Sequence, residues 1–155
     1  MTAALADAFR SRPEFQETDS GRFTIDGTDF EARVTVESDT VTLTQKLPTL
    51  DSTVQGETVA EVVADGWEET FRRRVADVGK VVSSPGGEPA VERTGETLRV
   101  TIELPADPQD APAAALGAAN YVEGTWVEGI VPGYDYDERV QAIRNRARET
   151  GGEGA

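Results

Sequence analysis

Catalysis in this chain would have to rest on carboxylates, hydroxyls and two lysines, because the sequence contains no cysteine and no histidine. The usual general base, the thiol nucleophile and the ordinary zinc ligands are therefore missing. The sequence also lacks a glycine-rich phosphate loop and a serine nucleophile motif. A hydrolase built on two carboxylates stays open, since its residues are distant in sequence. The composition favours a non-enzymatic protein, and we expect no cofactor.

Aromatic side chains are concentrated near the C-terminus, where residues 120–140 hold all three tyrosines and one of the two tryptophans. Tyrosines on a rigid turn make good interface anchors, and Pro132–Gly133 predicts such a turn. The candidate partner-binding residues are Tyr121, Tyr134, Asp135 and Tyr136. In the alternative interpretation, Tyr134 and Tyr136 fix the C-terminal segment onto the domain through ring packing and hydroxyl hydrogen bonds.

Carboxylates alternate in the same segment, at Asp135, Asp137 and Glu138. Alternate carboxylates in a loop can bind a hard cation such as calcium or magnesium. The residue spacing of an EF-hand loop is absent, however. In a chain with 29 acidic residues, carboxylates also meet by chance. We therefore expect no specific metal site.

The overall charge is the strongest compositional signal, with 29 acidic against 15 basic residues and a net charge of −14. Such a surface repels itself in dilute buffer, whereas molar salt shortens the screening length to about 3 Å. We interpret the composition as an adaptation to high internal salt. The alternative is an acidic protein with a basic partner. Nucleic acid is disfavoured, because phosphate contacts need clusters of lysine or arginine.

Length and hydropathy predict one domain over residues 1–150, followed by a flexible tail at 151–155. No apolar run reaches the roughly 18 residues of a membrane span. The first residues lack the charged and apolar regions of a signal peptide. We expect a cytoplasmic protein that contacts no membrane.

Hydrophobic periodicity predicts an α+β fold with the element order α-β-β-β-α-β-β-α. The antiparallel sheet would have about five strands, with helices packed on one side. The main helix is expected at 57–78, and a narrow apolar stripe indicates a last helix at 138–149. Residues predicted for the core by these stripes include Val62 and the aromatics Trp67, Phe71 and Trp126. Gly66 is expected to let a strand or the Trp67 ring approach closely.

Three segments resemble a family of small haloarchaeal proteins of unassigned function. They are "LPTLD" (47–51), "GWEETFRRR" (66–74) and "YVEGTWVEGIVPGYDY" (121–136). The resemblance implies a haloarchaeal cytoplasmic protein and nothing about activity. The predicted element order also resembles the type III secretion chaperone-like fold, which by itself does not fix a function.

These observations favour a non-enzymatic protein-binding or assembly module. Its partner would be another protein or a second copy, with a homodimer formed through the last strand pair or the third helix. One alternative is a small-molecule-binding regulatory domain with its pocket between sheet and helices. The other is a carboxylate-based hydrolase, which would need two converging acids with raised pKa in a cleft.

Overall fold

The computed structural model describes residues 2–83 and 85–153 and shows an α+β fold built on an antiparallel sheet. The strands are β1 (Phe15–Asp19), β2 (Arg22–Ile25), β3 (Ala32–Glu37), β4 (Thr40–Pro48), β5 (Ala90–Thr94) and β6 (Thr97–Leu104). The α-helices are α1 (Thr2–Arg10), α2 (Glu61–Val75), α3 (Ala111–Glu128) and α4 (Glu138–Glu153). The six strands lie in the order β1-β2-β3-β4-β6-β5. The predicted fold class is confirmed.

Strand β1 is absent from the predicted order, in which three strands precede the main helix. It lies at the edge of the sheet, where it pairs with β2. Within β1 only Phe15 is buried, and the other residues are exposed. A strand with one buried side chain has no alternating pattern to detect. The likeness to the chaperone-like fold was based on the shorter element order and stays a prediction.

The C-terminal segment forms helix α4, which packs Val140 and Ile143 into the core. The helix extends to Glu153 and so includes residues 151–153, for which the sequence predicts a tail. Residues 154 and 155 lie outside the described part of the chain. None of the described helices is long and apolar enough to cross a membrane.

The two faces of the sheet differ because side chains alternate along each strand. In the central pair, Leu43 of β4 lies opposite Ile102 of β6, and both are fully buried. Thr44, next to Leu43, lies opposite Thr101 on the partly exposed face. Helix α1 contacts β1 and β3, and helix α3 contacts β4 and β6. These two helices pack on the sheet and supply much of the core.

Helix α2 begins at Glu61, later than the predicted start, and buries Trp67, Phe71 and Val75. The prediction that Val62 joins this stripe was wrong, because Val62 is 78% exposed. At 3.6 residues per turn, the separation of nine positions places Val62 about 180° around the helix from Phe71. The expectation that a strand approaches Gly66 was also wrong, while a close approach of the Trp67 ring stays a prediction. Apart from the two adjoining residues and the backbone of its own helix, no described atom lies within 4 Å of a Cβ built on Gly66.

Candidate functional site

A cleft of about 240 Å³ lies between α2 and the C-terminal end of α3. Helix α2 lines it with Val63, Gly66, Trp67, Thr70, Phe71 and Arg74. The other wall comes from Thr125, Glu128, Gly129 and Val131. The lining is apolar at the centre and charged at one end, which suits recognition of a mainly apolar group.

The inner wall of the cleft is a cluster of aromatic rings. Trp67 stacks on Phe71 with ring centroids 5.4 Å apart, and its edge meets Trp126 at 6.1 Å. The indole N–H of Trp126 donates to the Pro48 carbonyl oxygen at 2.9 Å. Trp67, Phe71 and Trp126 all belong to the hydrophobic core cluster. The cleft therefore opens onto a well-packed wall.

The indole N–H of Trp67 is buried and has no hydrogen-bond partner among the described residues. The nitrogen lies against Gly129, since a Cβ on that glycine would be 2.8 Å from it. Leaving a buried donor unpaired costs about 1–3 kcal/mol. Both Trp67 and Gly129 line the cleft. Because the nitrogen is covered, an acceptor atom in the cleft reaches this N–H only if the residues over it move.

Tyr121 joins the two helices that form the cleft. Its hydroxyl donates to the Arg74 carbonyl oxygen at 2.7 Å, which links α3 to the end of α2. The Arg74 guanidinium lies 3.6 Å from the Glu128 carboxylate at the cleft entrance, and both side chains are substantially exposed. Tyr121, predicted to bind a partner, thus uses its hydroxyl within the chain.

The tyrosine-rich segment 131–137 is tied to the body of the domain by backbone hydrogen bonds. The Gln55 N–H donates to the Asp135 carbonyl oxygen at 2.8 Å, and the Asp137 N–H donates to the Thr53 carbonyl oxygen at 2.9 Å. These hydrogen bonds attach the segment to residues 53–55.

The tyrosines of this segment differ in exposure. Tyr136 is 6% exposed, and its hydroxyl donates to the Val131 carbonyl oxygen. Burial raises the pKa of the Tyr136 phenol above its usual value. Tyr134 is half-buried, with its ring edge-on to Tyr136, and Asp135 is exposed. Tyr136 is packed and hydrogen-bonded within the chain, as in the alternative interpretation. Tyr134 and Asp135 retain exposed surface that a partner can contact.

The alternating carboxylates of this segment do not converge. The Asp137 carboxylate accepts a hydrogen bond from the Val140 N–H at 3.0 Å and so caps α4. No group of three or more acidic side chains within the described ranges is placed to hold a metal ion. Asp137 therefore has a structural role as a helix cap, which the spacing of the carboxylates in the sequence did not predict.

Sequence reasoning missed a buried polar cluster between α3 and the sheet. The Glu123 carboxylate accepts hydrogen bonds from the Phe30 backbone N–H at 2.8 Å and from the Gln45 amide at 3.0 Å. Burial raises the pKa of Glu123, and hydrogen bonds from the backbone N–H groups of Phe30 and Asp29 oppose the rise to a smaller extent. The signal available in the sequence was Gln45, a polar residue on the inward stripe of β4.

The hydrogen bonds around Glu123 stabilise the contact between α3 and the sheet. Glu123 is 9% exposed, and its carboxylate accepts hydrogen bonds from the Phe30 N–H and the Gln45 amide. The neighbouring carboxylate, Asp29, is ion-paired with Arg146. Two neighbouring acids, one of which has a raised pKa, can indicate a catalytic site. Such a site also needs a cleft in which a substrate can reach the acids.

The fold and the cleft define an α+β protein with a small, mainly apolar cleft between two helices. The chain belongs to a family of unknown function, DUF5813, which matches residues 10–146. No curated protein matches it. The expectation of a family without an assigned function is confirmed, while the haloarchaeal origin stays a prediction.

Proposed function

We propose that this protein is a non-enzymatic protein-binding module, whose partner inserts one apolar side chain into the cleft between α2 and α3. The observation that carries the proposal is the cleft itself, whose lining includes the stacked rings of Trp67 and Phe71. An apolar cleft with an aromatic wall suits an apolar side chain of a partner.

The volume of the cleft favours a protein partner over a free small molecule. Pockets for drug-sized ligands usually measure about 300–1,000 Å³. A cleft of about 240 Å³ is smaller than that and has room for one large side chain. Protein interfaces concentrate their binding energy in a few such anchors, seated in desolvated pockets.

Gly66 gives a second reason to place the partner here. Glycine inside a helix costs about 1 kcal/mol relative to alanine. A Cβ at this position would meet nothing within 4 Å, so the described part of the chain does not require glycine there. A partner that approaches α2 closely at the cleft would account for glycine at this position.

The experiment is an affinity capture with the tagged chain in lysate of its own cells, in molar KCl. Gly66→Leu would fill the cleft. The matched control is Gly124→Leu on α3, where an added Cβ also meets nothing within 4 Å but lies outside the cleft lining. Circular dichroism checks that both variants fold. We expect a protein recovered with the native chain and with Gly124→Leu, and lost with Gly66→Leu. Equal recovery in all three lanes would overturn the proposal.

A second candidate function, binding of a small molecule, is favoured by the unpaired Trp67 N–H. A ligand with an acceptor oxygen would satisfy this donor, and Arg74 at the entrance would attract a negatively charged one. Small carboxylic acids should then raise the melting temperature, because a ligand that binds the folded state stabilises it. The rise should vanish in Gly66→Leu and persist in Gly124→Leu.

We also propose that the acidic composition is an adaptation to molar salt. The support is the net charge of −14, which repels itself unless salt screens it. Melting followed by circular dichroism should show a higher midpoint in molar KCl than in dilute buffer. Equal midpoints would contradict the adaptation and favour the reading of an acidic protein with a basic partner.

A further inference from the structure

We infer that the cleft also recognises a free apolar α-amino acid, which competes with the protein partner for it. The inference rests on the proposed function, because it adds a regulator to the same cleft. It is carried by the ion pair between Arg74 and Glu128, which places two opposite charges at one end of a mainly apolar lining. An α-amino acid has the matching layout, with an apolar side chain at one end and two opposite charges at the other.

The charged end of the cleft joins its two walls. Arg74 comes from α2 and Glu128 from α3, and the guanidinium lies 3.6 Å from the carboxylate. Among the described lining residues, the α2 wall contributes only this positive charge and the other wall only this negative one. A carboxylic acid or an amine would bind one of the two groups and offer the other nothing. A zwitterion offers a partner to both.

The ion pair is weak enough to be exchanged for a ligand. The two side chains are 49% and 73% exposed, and an exposed pair of this kind contributes little to folding. The Tyr121 hydroxyl donates to the Arg74 carbonyl oxygen at 2.7 Å and so holds the two helices together independently of the pair. The side chains of Arg74 and Glu128 can therefore turn to a ligand while the walls stay in place. Each would then make a charge-assisted hydrogen bond to the zwitterion.

The apolar part of the cleft lies next to the charged end. Phe71 precedes Arg74 by three residues in α2, so the two are neighbours on the helix surface. The Phe71 ring stacks on Trp67, the next aromatic along the lining. A ligand with its charged groups at Arg74 therefore extends its side chain over these rings. The volume of about 240 Å³ suits one large apolar side chain, the same group that a protein partner would insert.

A zwitterion also suits the charge and the proposed salt environment of the chain. An amino acid has no net charge near neutral pH, so the net charge of −14 does not repel it. Molar salt shortens the screening length to about 3 Å, which suppresses the effect of distant charges. Hydrogen-bonded ion pairs form at about that distance or less and therefore persist.

Isothermal titration calorimetry of the purified chain with L-leucine in molar KCl tests the inference. Two analogues each lack one charge, because leucinamide has no carboxylate and 4-methylpentanoate has no ammonium group. We expect leucine to bind at least about tenfold more tightly than either analogue, as for the loss of one hydrogen bond to a charged group. L-Alanine keeps both charges and should also bind more weakly, since it lacks the large side chain.

Variants assign each charge of the ligand to its residue. Arg74→Gln should bind leucine and leucinamide equally, and Glu128→Gln should bind leucine and 4-methylpentanoate equally. Gly66→Leu, which fills the cleft, should bind none of them, whereas Gly124→Leu should bind leucine as the native chain does. Circular dichroism checks that every variant folds.

The outcomes separate this inference from the proposed function. No binding of leucine in the millimolar range overturns the inference, as does equal affinity for leucine and both analogues. Saturating leucine should lower the recovery of the partner in the affinity capture, and unchanged recovery would overturn the competition. The proposed function stands, whether or not leucine binds, if Gly66→Leu loses the captured protein and Gly124→Leu keeps it. If leucine binds and no protein is captured, the proposed function falls and amino-acid recognition remains.

Discussion

Two regions of the molecule present aromatic rings near the surface, but they differ in how their polar groups are bonded. In the segment 131–137, the Tyr136 hydroxyl and the backbone of Asp135 and Asp137 bond to other parts of the chain. In the cleft between α2 and α3, the Trp67 N–H has no partner among the described residues, and nothing there lies over Gly66.

Aromatic content alone therefore does not mark a binding surface. Rings whose hydroxyls and neighbouring backbone groups are bonded inside the chain stabilise the fold. An unpaired donor beside an open apolar volume is a group that a partner or ligand can bind. For this reason we propose the cleft as the binding surface, while partner binding by Tyr134 and Asp135 stays a prediction.

The largest effect should come from Tyr136→Ala. Truncating a buried aromatic typically lowers the free energy of unfolding by about 3–5 kcal/mol, and here the Val131 carbonyl also loses its donor. Tyr134→Ala, at a half-buried site, should lower it by about 1 kcal/mol. Urea unfolding in molar KCl measures both. Similar losses at the two positions would show that the segment is not held by Tyr136.

The two tryptophans offer the next comparison. Tryptophan to phenylalanine removes a similar volume at either position, but Trp126 donates to the Pro48 carbonyl oxygen and Trp67 has no acceptor among the described residues. Trp126→Phe should therefore lower the free energy of unfolding by about 1–3 kcal/mol more than Trp67→Phe. If Trp67→Phe lowered the free energy of unfolding more than Trp126→Phe, the Trp67 N–H would have to donate a hydrogen bond in solution.

Two glycines of the cleft should respond to alanine in opposite directions. At Gly129 the new Cβ would lie 2.8 Å from the Trp67 indole nitrogen, and such overpacking costs about 1–3 kcal/mol. At Gly66 the new Cβ meets open space, so the higher helix propensity of alanine should add about 1 kcal/mol of stability. Denaturant titration of both variants checks the signs. A loss at Gly66 would mean that the cleft is closed in the free chain.

The smallest effect concerns pH and the buried Glu123. Its pKa in the folded state is raised above the ordinary value of 4.5, mainly by burial. Between those two pKa values the folded state binds more protons than the unfolded state, so the contribution of Glu123 to stability falls as pH rises. Glu123→Gln cannot titrate. The stability of the variant relative to the native chain should therefore increase with pH above 4.5 and then level off.

This pH dependence is measured by urea unfolding of both chains at several pH values. Only the difference between them reports on Glu123, because the other carboxylates titrate in both chains. A constant difference would show that the pKa of Glu123 is not shifted by folding. A difference that falls with rising pH would show a lowered pKa, with the hydrogen bonds to the carboxylate outweighing its burial.

Local pattern was enough to predict the central strands. The residues of β3, β4 and β6 alternate strictly because one face is buried and the other is wet, and that alternation is visible in sequence. Helix α2 was predicted with the correct buried side at Trp67 and Phe71. The exposure of Val62 was not predicted, because the apolar stripe was drawn through residues that precede the helix as well as through the helix itself.

The candidate site could not be read from the sequence, because its parts are distant along the chain. Glu123 is 93 residues from the Phe30 N–H it binds and 78 residues from Gln45. The cleft likewise joins residues of α2 to residues of α3. Whether a donor such as the Trp67 N–H finds a partner is decided by the packing of whole helices. Composition and periodicity do not describe that packing.

Photo-cross-linking from the lining of the cleft tests most directly whether the cleft binds a protein. A photoreactive phenylalanine analogue replaces Glu128, an exposed residue of the cleft lining, or Glu37 at the exposed end of β3 as a control. Each purified chain is irradiated in lysate of its own cells in molar KCl, and the products are identified by mass spectrometry. We expect a specific protein product from position 128 and none from position 37. No product from position 128, or the same products from both positions, would contradict the cleft as the binding surface.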